Sequence, residues 1–155
     1  MARLPRSEPP LVPDHQPLSA PGAAGLAANA HALLRIGAGL LFLQHGLQKL
    51  FGLLGGTQVP LSSMLGAAGI IELVGATLLV LGLWTRPVAL VLAGEMLAAF
   101  VIAHLPRGGW PIQNGGELPL LYVLVFLFLA AAGAGPASVD AARRPGPYSR
   151  EWVAP

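Results

Sequence analysis

The chain has 155 residues, 54% of them hydrophobic and only 10% charged, and its mean hydropathy is +0.65. A soluble domain is about 25% charged, so these values exclude that class and indicate an integral membrane protein. A formal charge of +2 carried by scattered arginines, with no aromatic platform between them, excludes a nucleic-acid surface; the absence of cysteine excludes structural disulfides, thiolate metal sites, Fe–S clusters, covalent c-type haem and a persulfide on this chain.

Residues 1–26 read as a disordered Pro-rich tail, because the first 25 positions hold six prolines and no apolar core of signal-peptide length. The first apolar segment runs from His31 to Leu53, and its polar residues are ordered. His31, Arg35, Ala38, Phe42, His45 and Lys49 follow alternating spacings of four and three, which at about 100° per residue confines the four ionisable groups to a stripe about 80° wide. Leu33, Leu34, Leu40, Leu41 and Leu47, with Gln44 beside them, lie opposite and suit lipid. Lys49 and His31 could simply snorkel at the two helix ends. Arg35 and His45 lie deeper, about 10 Å and about 5 Å to either side of the helix centre.

The second segment, Met64 to Leu83, carries Glu72 near its middle, and the third, Pro87 to His104, carries Glu95. A charge at the bilayer centre costs about 2.5–3.5 kcal/mol even on the lenient insertion scale, so each carboxylate should face a bundle interior or wet cavity. Around Glu72, Ala68, Gly69, Gly75, Ala76 and Gly82 form a small-residue face that lets a neighbouring helix come close. Glu95 shares its face with Val88, Val91, Ala98, Ala99 and Ile102. The simplest charge assignment pairs Arg35 and Lys49 with Glu72 and Glu95. Such a neutral core could serve only to fix helix register; alternatively, His45 could exchange protons with a desolvated Glu.

From His104 to Glu117 the sequence reads as a turn-rich loop, with two Gly pairs, two prolines and an interfacial Trp110. Glu117 stands at the start of the fourth segment, Leu118 to Gly135, where a carboxylate complements the helix dipole; His104, Arg107 and Glu117 could also line the mouth of a cavity holding His45 and Lys49. Residues 143–155 form a basic tail. The expected fold is therefore an all-α membrane protein, a four-transmembrane-helix bundle over 27–142. Its termini and second connection share Arg3, Arg6, Arg86, Arg143, Arg144 and Arg150, whereas the other side has Arg107 with Lys49 at its edge, so the N and C termini are expected to be cytoplasmic.

Several short motifs follow one another in order between residues 33 and 142. Arg35 and Gly37 lead to His45, Gly46, Lys49 and Leu50; then come Gly69, Ile70, Glu72 and Gly75, followed by Leu81, Gly82, Leu83, Thr85 and Arg86. Asn114, Gly115, Gly116 and Glu117 precede Gly133, Gly135, Pro136, Ser138 and Asp140. Together they resemble the DoxX family of small four-helix membrane proteins. The resemblance implies a multi-pass protein of a bacterial or archaeal inner membrane, related to the large subunit of thiosulfate:quinone oxidoreductase and found with redox or stress-defence partners.

Three functions fit these residues. The first is the membrane subunit of a redox complex, in which His45 and Glu72 handle protons and Arg35, His45, Lys49, Glu72, Glu95, His104 and Glu117 surround a quinone. Electrons would come from a soluble redox partner. The others are a small transporter, for which a homo-oligomer would compensate the few spans, and a non-catalytic scaffold anchoring soluble partners. No covalent cofactor and no metal site is expected. Quinone is the candidate cofactor, and the bilayer the certain contact.

Overall fold

The computed structural model describes residues 23–143, and all the secondary structure among them is helical. Most of the expected Pro-rich tail and nearly all of the basic tail lie outside the described residues. The first helix, α1 (Ala23–Phe51), starts well before His31 because nothing in its Ala- and Leu-rich opening breaks a helix. It stops where Gly52 turns to a positive φ of 64°.

Ser63 opens α2 (Met64–Leu81), its Oγ accepting from the Gly66 N–H at 3.0 Å. Gly82 closes it in the left-handed region at φ 65°, and the Leu83 N–H donates back to the Leu78 carbonyl at 2.9 Å. Only Gly82, Leu83 and Trp84 separate α2 from α3 (Thr85–Ala99), so the two are antiparallel neighbours. No side chain next to α3 caps it. Asp140 does so instead, accepting the Trp84 and Thr85 N–H groups on its two carboxylate oxygens at 2.9 Å each.

Beyond Ala99 the helical path continues through a π-helical turn, Phe100–His104, and a 3-10 turn, Leu105–Arg107. The third apolar helical stretch is thus Thr85–Arg107, 23 residues rather than Pro87 to His104. The expected loop after His104 is correspondingly shorter and contains one helical turn, α4 (Pro111–Asn114). The fourth segment, α5 (Glu117–Ala132), is only 16 residues long, because Gly133 leaves the helix at φ 86° before Gly135 is reached. At 1.5 Å per residue it covers about 24 Å of a core about 30 Å thick. Three helices are therefore long and apolar enough to cross a membrane, and α5 is a shorter apolar companion. The chain then turns through 133–138 into α6 (Val139–Ala142), where Ser138 Oγ accepts from the Ala141 N–H at 3.1 Å.

The closest packing joins α1 to α2 and α3 to α5. Small residues make the first contact possible: a Cβ on Gly46 would stand 2.7 Å from the Leu73 backbone nitrogen, and one on Gly39 would stand 2.8 Å from Val80 Cγ2. At the centre, Phe42 and Phe126 are wholly buried with ring centroids 5.0 Å apart, and Tyr122 stacks on Phe126 at 5.4 Å. Ala76, Leu79, Ala89, Leu92, Ala93, Met96 and Leu129 complete this core. Leu33, Leu34, Leu40 and Leu41 are exposed, as are Leu121 and Leu124 on α5. Such an aliphatic belt is too extensive for a soluble surface and is the contact with the bilayer.

Candidate functional site

Lys49 sits in the last turn of α1, and one turn before it His45 lies on the same face. The close α1–α2 approach at Gly46 and Gly69 brings Glu72 to Lys49, and Nζ forms an ion pair with Oε1. Glu72 is only 1% exposed and its Oε2 has no hydrogen-bond partner among the described residues. A carboxylate in this position is normally fully bonded, so a free buried oxygen beside a cavity marks a site that can accept a donor.

That cavity has a volume of about 270 Å³ and is lined by His45, Lys49, Glu72, His104, Tyr122 and Phe42. His45 meets Tyr122 edge-on at 6.2 Å and Phe42 at 6.0 Å, so rings hold it in place. The π-helical turn carries His104 to the rim, where its Nδ1 is 3.1 Å from the Asn114 carbonyl oxygen; such turns are often found where a side chain has been re-aimed for function. Asn114 in turn locks the rim. Its Nδ2 donates to the Gly108 carbonyl at 2.6 Å, and its Oδ1 accepts the Gly116 N–H at 2.8 Å. A Cβ at Gly116 would collide with the Phe100 ring, which explains one glycine of the Asn114–Glu117 run.

Four of the seven residues expected around a ligand therefore converge: His45, Lys49, Glu72 and His104. Arg35 does not join them. It lies on the same stripe, but fourteen positions from Lys49, about 21 Å along the axis. It is fully buried and spent on backbone: its guanidinium donates to the carbonyls of Leu79, Val80, Ala134, Pro136 and Ala137 at 2.6–3.3 Å. The expected pairing of Arg35 with a helix carboxylate is replaced by this clamp, which binds the C-terminal end of α2 to the loop after α5. His31 adds a contact between its Nε2 and the Gly133 carbonyl oxygen at 3.0 Å.

Glu95 also lies apart, in a second cavity of about 380 Å³ between α2 and α3, which Lys49 borders as well. Glu117 is exposed as the first residue of α5, where it faces the helix N-terminus rather than the cavity. Tyr122 was not expected. Its only sequence signal is the stripe Pro119, Tyr122, Phe126 and Leu129, one hydroxyl in an aromatic and aliphatic helix face. Among the described residues no group of three or more His, Asp or Glu is placed to hold a metal ion.

The cavity thus offers a cation in Lys49, a hydroxyl in Tyr122, two imidazoles and one unbonded carboxylate oxygen within an otherwise apolar wall. It can hydrogen-bond a neutral polar head and move protons to or from it.

Residues 30–105 match the DoxX family model. An uncharacterized protein of Haemophilus influenzae is 42% identical over 116 residues, which cover 70% of this chain and 87% of that protein. A Bacillus subtilis protein described as "Putative oxidoreductase CatD" is 32% identical over 106 residues, 65% of this chain and 77% of the relative. An uncharacterized membrane protein of Mycobacterium tuberculosis, Rv3486, is 29% identical over 125 residues, 69% and 77% of the two chains. No solved structure matches significantly. With this family match and relatives covered over most of their length, the chain belongs to the DoxX family of membrane proteins.

Proposed function

We propose that this protein is the membrane subunit of a redox complex and that its polar cavity takes the head of a quinone. The observation that carries the reading is the convergence of His45, the Lys49–Glu72 pair, His104 and Tyr122 on one cavity of about 270 Å³. The "oxidoreductase" in the description of the Bacillus subtilis relative is consistent with it. The residues fit such a ligand: Glu72 Oε2 is buried without a partner among the described residues, and the remaining wall is aromatic and aliphatic. Bound there, a quinone would accept two electrons from a separate protein and two protons.

This chain's part is to bind, orient and protonate. Lys49 and Tyr122 can donate hydrogen bonds to a carbonyl, the tilted ring of Phe42 and the edge-on ring of Tyr122 keep His45 in position, and His45 and Glu72 hold exchangeable protons at the cavity wall. Within this reading the protein lies in a bacterial inner membrane as a four-helix bundle, α5 spanning with help from local thinning of the bilayer. Both termini are cytoplasmic, because arginines concentrate on their side. Reporter fusions after residue 143 and at Gly109 test that orientation.

The function is tested by complementing a deletion strain with His45→Gln and Glu72→Gln, normalised to membrane protein level. Both isosteric variants should accumulate normally and lose the activity. Full activity in both would leave only a scaffold role.

A further inference from the structure

We propose that the cleft between α2 and α3 is a second binding site, for a hydrophobic monocation whose positive centre pairs with Glu95. The cleft encloses about 380 Å³, within the range of about 300–1,000 Å³ usual for small-molecule sites. Its wall is formed by Met64, Ala68, Ile71, Val91, Ala98 and Ile102, and the polar exceptions are Glu95 and, at the edge, Lys49.

Both carboxylate oxygens of Glu95 are buried and neither has a hydrogen-bond partner among the described residues. The charge count shows what is missing. Read from sequence, two cations balanced two carboxylates. In the fold, Arg35 is consumed by five carbonyls at the opposite end of α1, and the Lys49 ammonium is committed to Glu72. Among the described residues no cation is thus left to pair with Glu95, whose carboxylate is buried beside an apolar cleft, a costly arrangement unless a proton or an external cation completes it. A metal ion would need further oxygen ligands, and among the described residues no other oxygen-bearing side chain lines the cleft. An organic cation with apolar substituents satisfies the carboxylate and the aliphatic wall together. The cleft adjoins the cavity at His45, sharing Lys49, Met96 and Ala99 with it, but Glu95 lines only the cleft, and the proposal does not depend on the quinone reading.

The test is equilibrium binding of radiolabelled methyltriphenylphosphonium to the full chain in lipid nanodiscs, with empty nanodiscs as background. Saturable binding is expected for the natural sequence. It should weaken roughly tenfold or more in Glu95→Gln, which removes the charge at constant shape, and in Ala98→Trp, which fills the cleft and leaves the carboxylate in place. Glu117→Gln, altering an exposed carboxylate at the start of α5, should bind as the natural chain does. An absence of saturable binding, as when an acyl chain or a second copy occupies the cleft, overturns the proposal. Undiminished binding in either Glu95→Gln or Ala98→Trp overturns it as well.

Discussion

The two ends of α1 use buried charge in opposite ways. At the Arg35 end the guanidinium makes hydrogen bonds to five carbonyls, is fully buried and lines neither of the two cavities nearby, so the group itself is satisfied, although Thr85 Oγ1 at the same end is buried without a partner among the described residues. At the Lys49 end an ion pair leaves Glu72 Oε2 without a hydrogen-bond partner among the described residues, and Lys49 lines two adjoining cavities. Both sets of groups are equally unusual for a membrane interior, and composition does not separate them. Satisfaction does: a saturated polar group stabilises a fold, whereas an unsaturated one beside a cavity is available for chemistry.

The largest effect should follow from breaking the Arg35 end. Arg35→Ala leaves the carbonyls of Leu79, Val80 and the 133–137 loop without their donor, at a cost of at least about 3 kcal/mol. The variant should barely accumulate in membranes. Arg35→Lys keeps the charge, lacks the planar fork and should recover only part of the loss. Thermal unfolding in detergent measures both, and a fully stable Arg35→Ala would remove the structural role of the clamp.

A smaller loss is expected at the open end. Glu72→Ala strands the Lys49 ammonium and should destabilise by about 2–3 kcal/mol, while Glu72→Gln should stay within about 1 kcal/mol of the natural chain. Equal destabilisation by the two would mean that the pair is architecture only. At the same end, Gly46→Ala should push α1 from the Leu73 backbone and cost about 1–3 kcal/mol.

The smallest effect concerns Asp140, which belongs to the Arg35 end. Desolvation raises its pKa, but the Thr85 and Trp84 N–H groups and the positive charge of Arg143 outweigh this and hold the carboxyl below its ordinary 3.8. A lowered native value means that the stabilisation is complete above the unfolded value and is lost as the pH falls through the native one. Asp140→Asn should therefore cost about 0.5–1 kcal/mol at neutral pH and nothing extra in strong acid. Unfolding curves at the two pH values test this, and an equal difference at both would deny the charge a role.

The open end was largely legible from sequence because helical spacing fixes direction around an axis. His45 and Lys49 fell on one face by period, and the small residues around Glu72 announced a close approach to α1. The same reasoning misplaced Arg35: spacing gives azimuth, whereas partners depend on depth, and three of the five carbonyls that bind it belong to a loop about a hundred residues away in sequence, the other two to the end of α2. Glu95 was matched to a cation by counting charges, a procedure blind to Arg35 being already occupied. Tyr122 was passed over because its helix reads as uniformly apolar. The π-helical turn that presents His104 has no sequence mark that distinguishes it from ordinary helix.

The central claim, that the Lys49 end holds a ligand and the Arg35 end does not, is met most directly by measuring quinone extracted from the purified protein. The natural chain should retain quinone near one per chain, His45→Gln and Glu72→Gln should lose most of it, and Asp140→Asn should keep it. Absence of quinone from the natural protein, or equal retention in all four, would contradict the account.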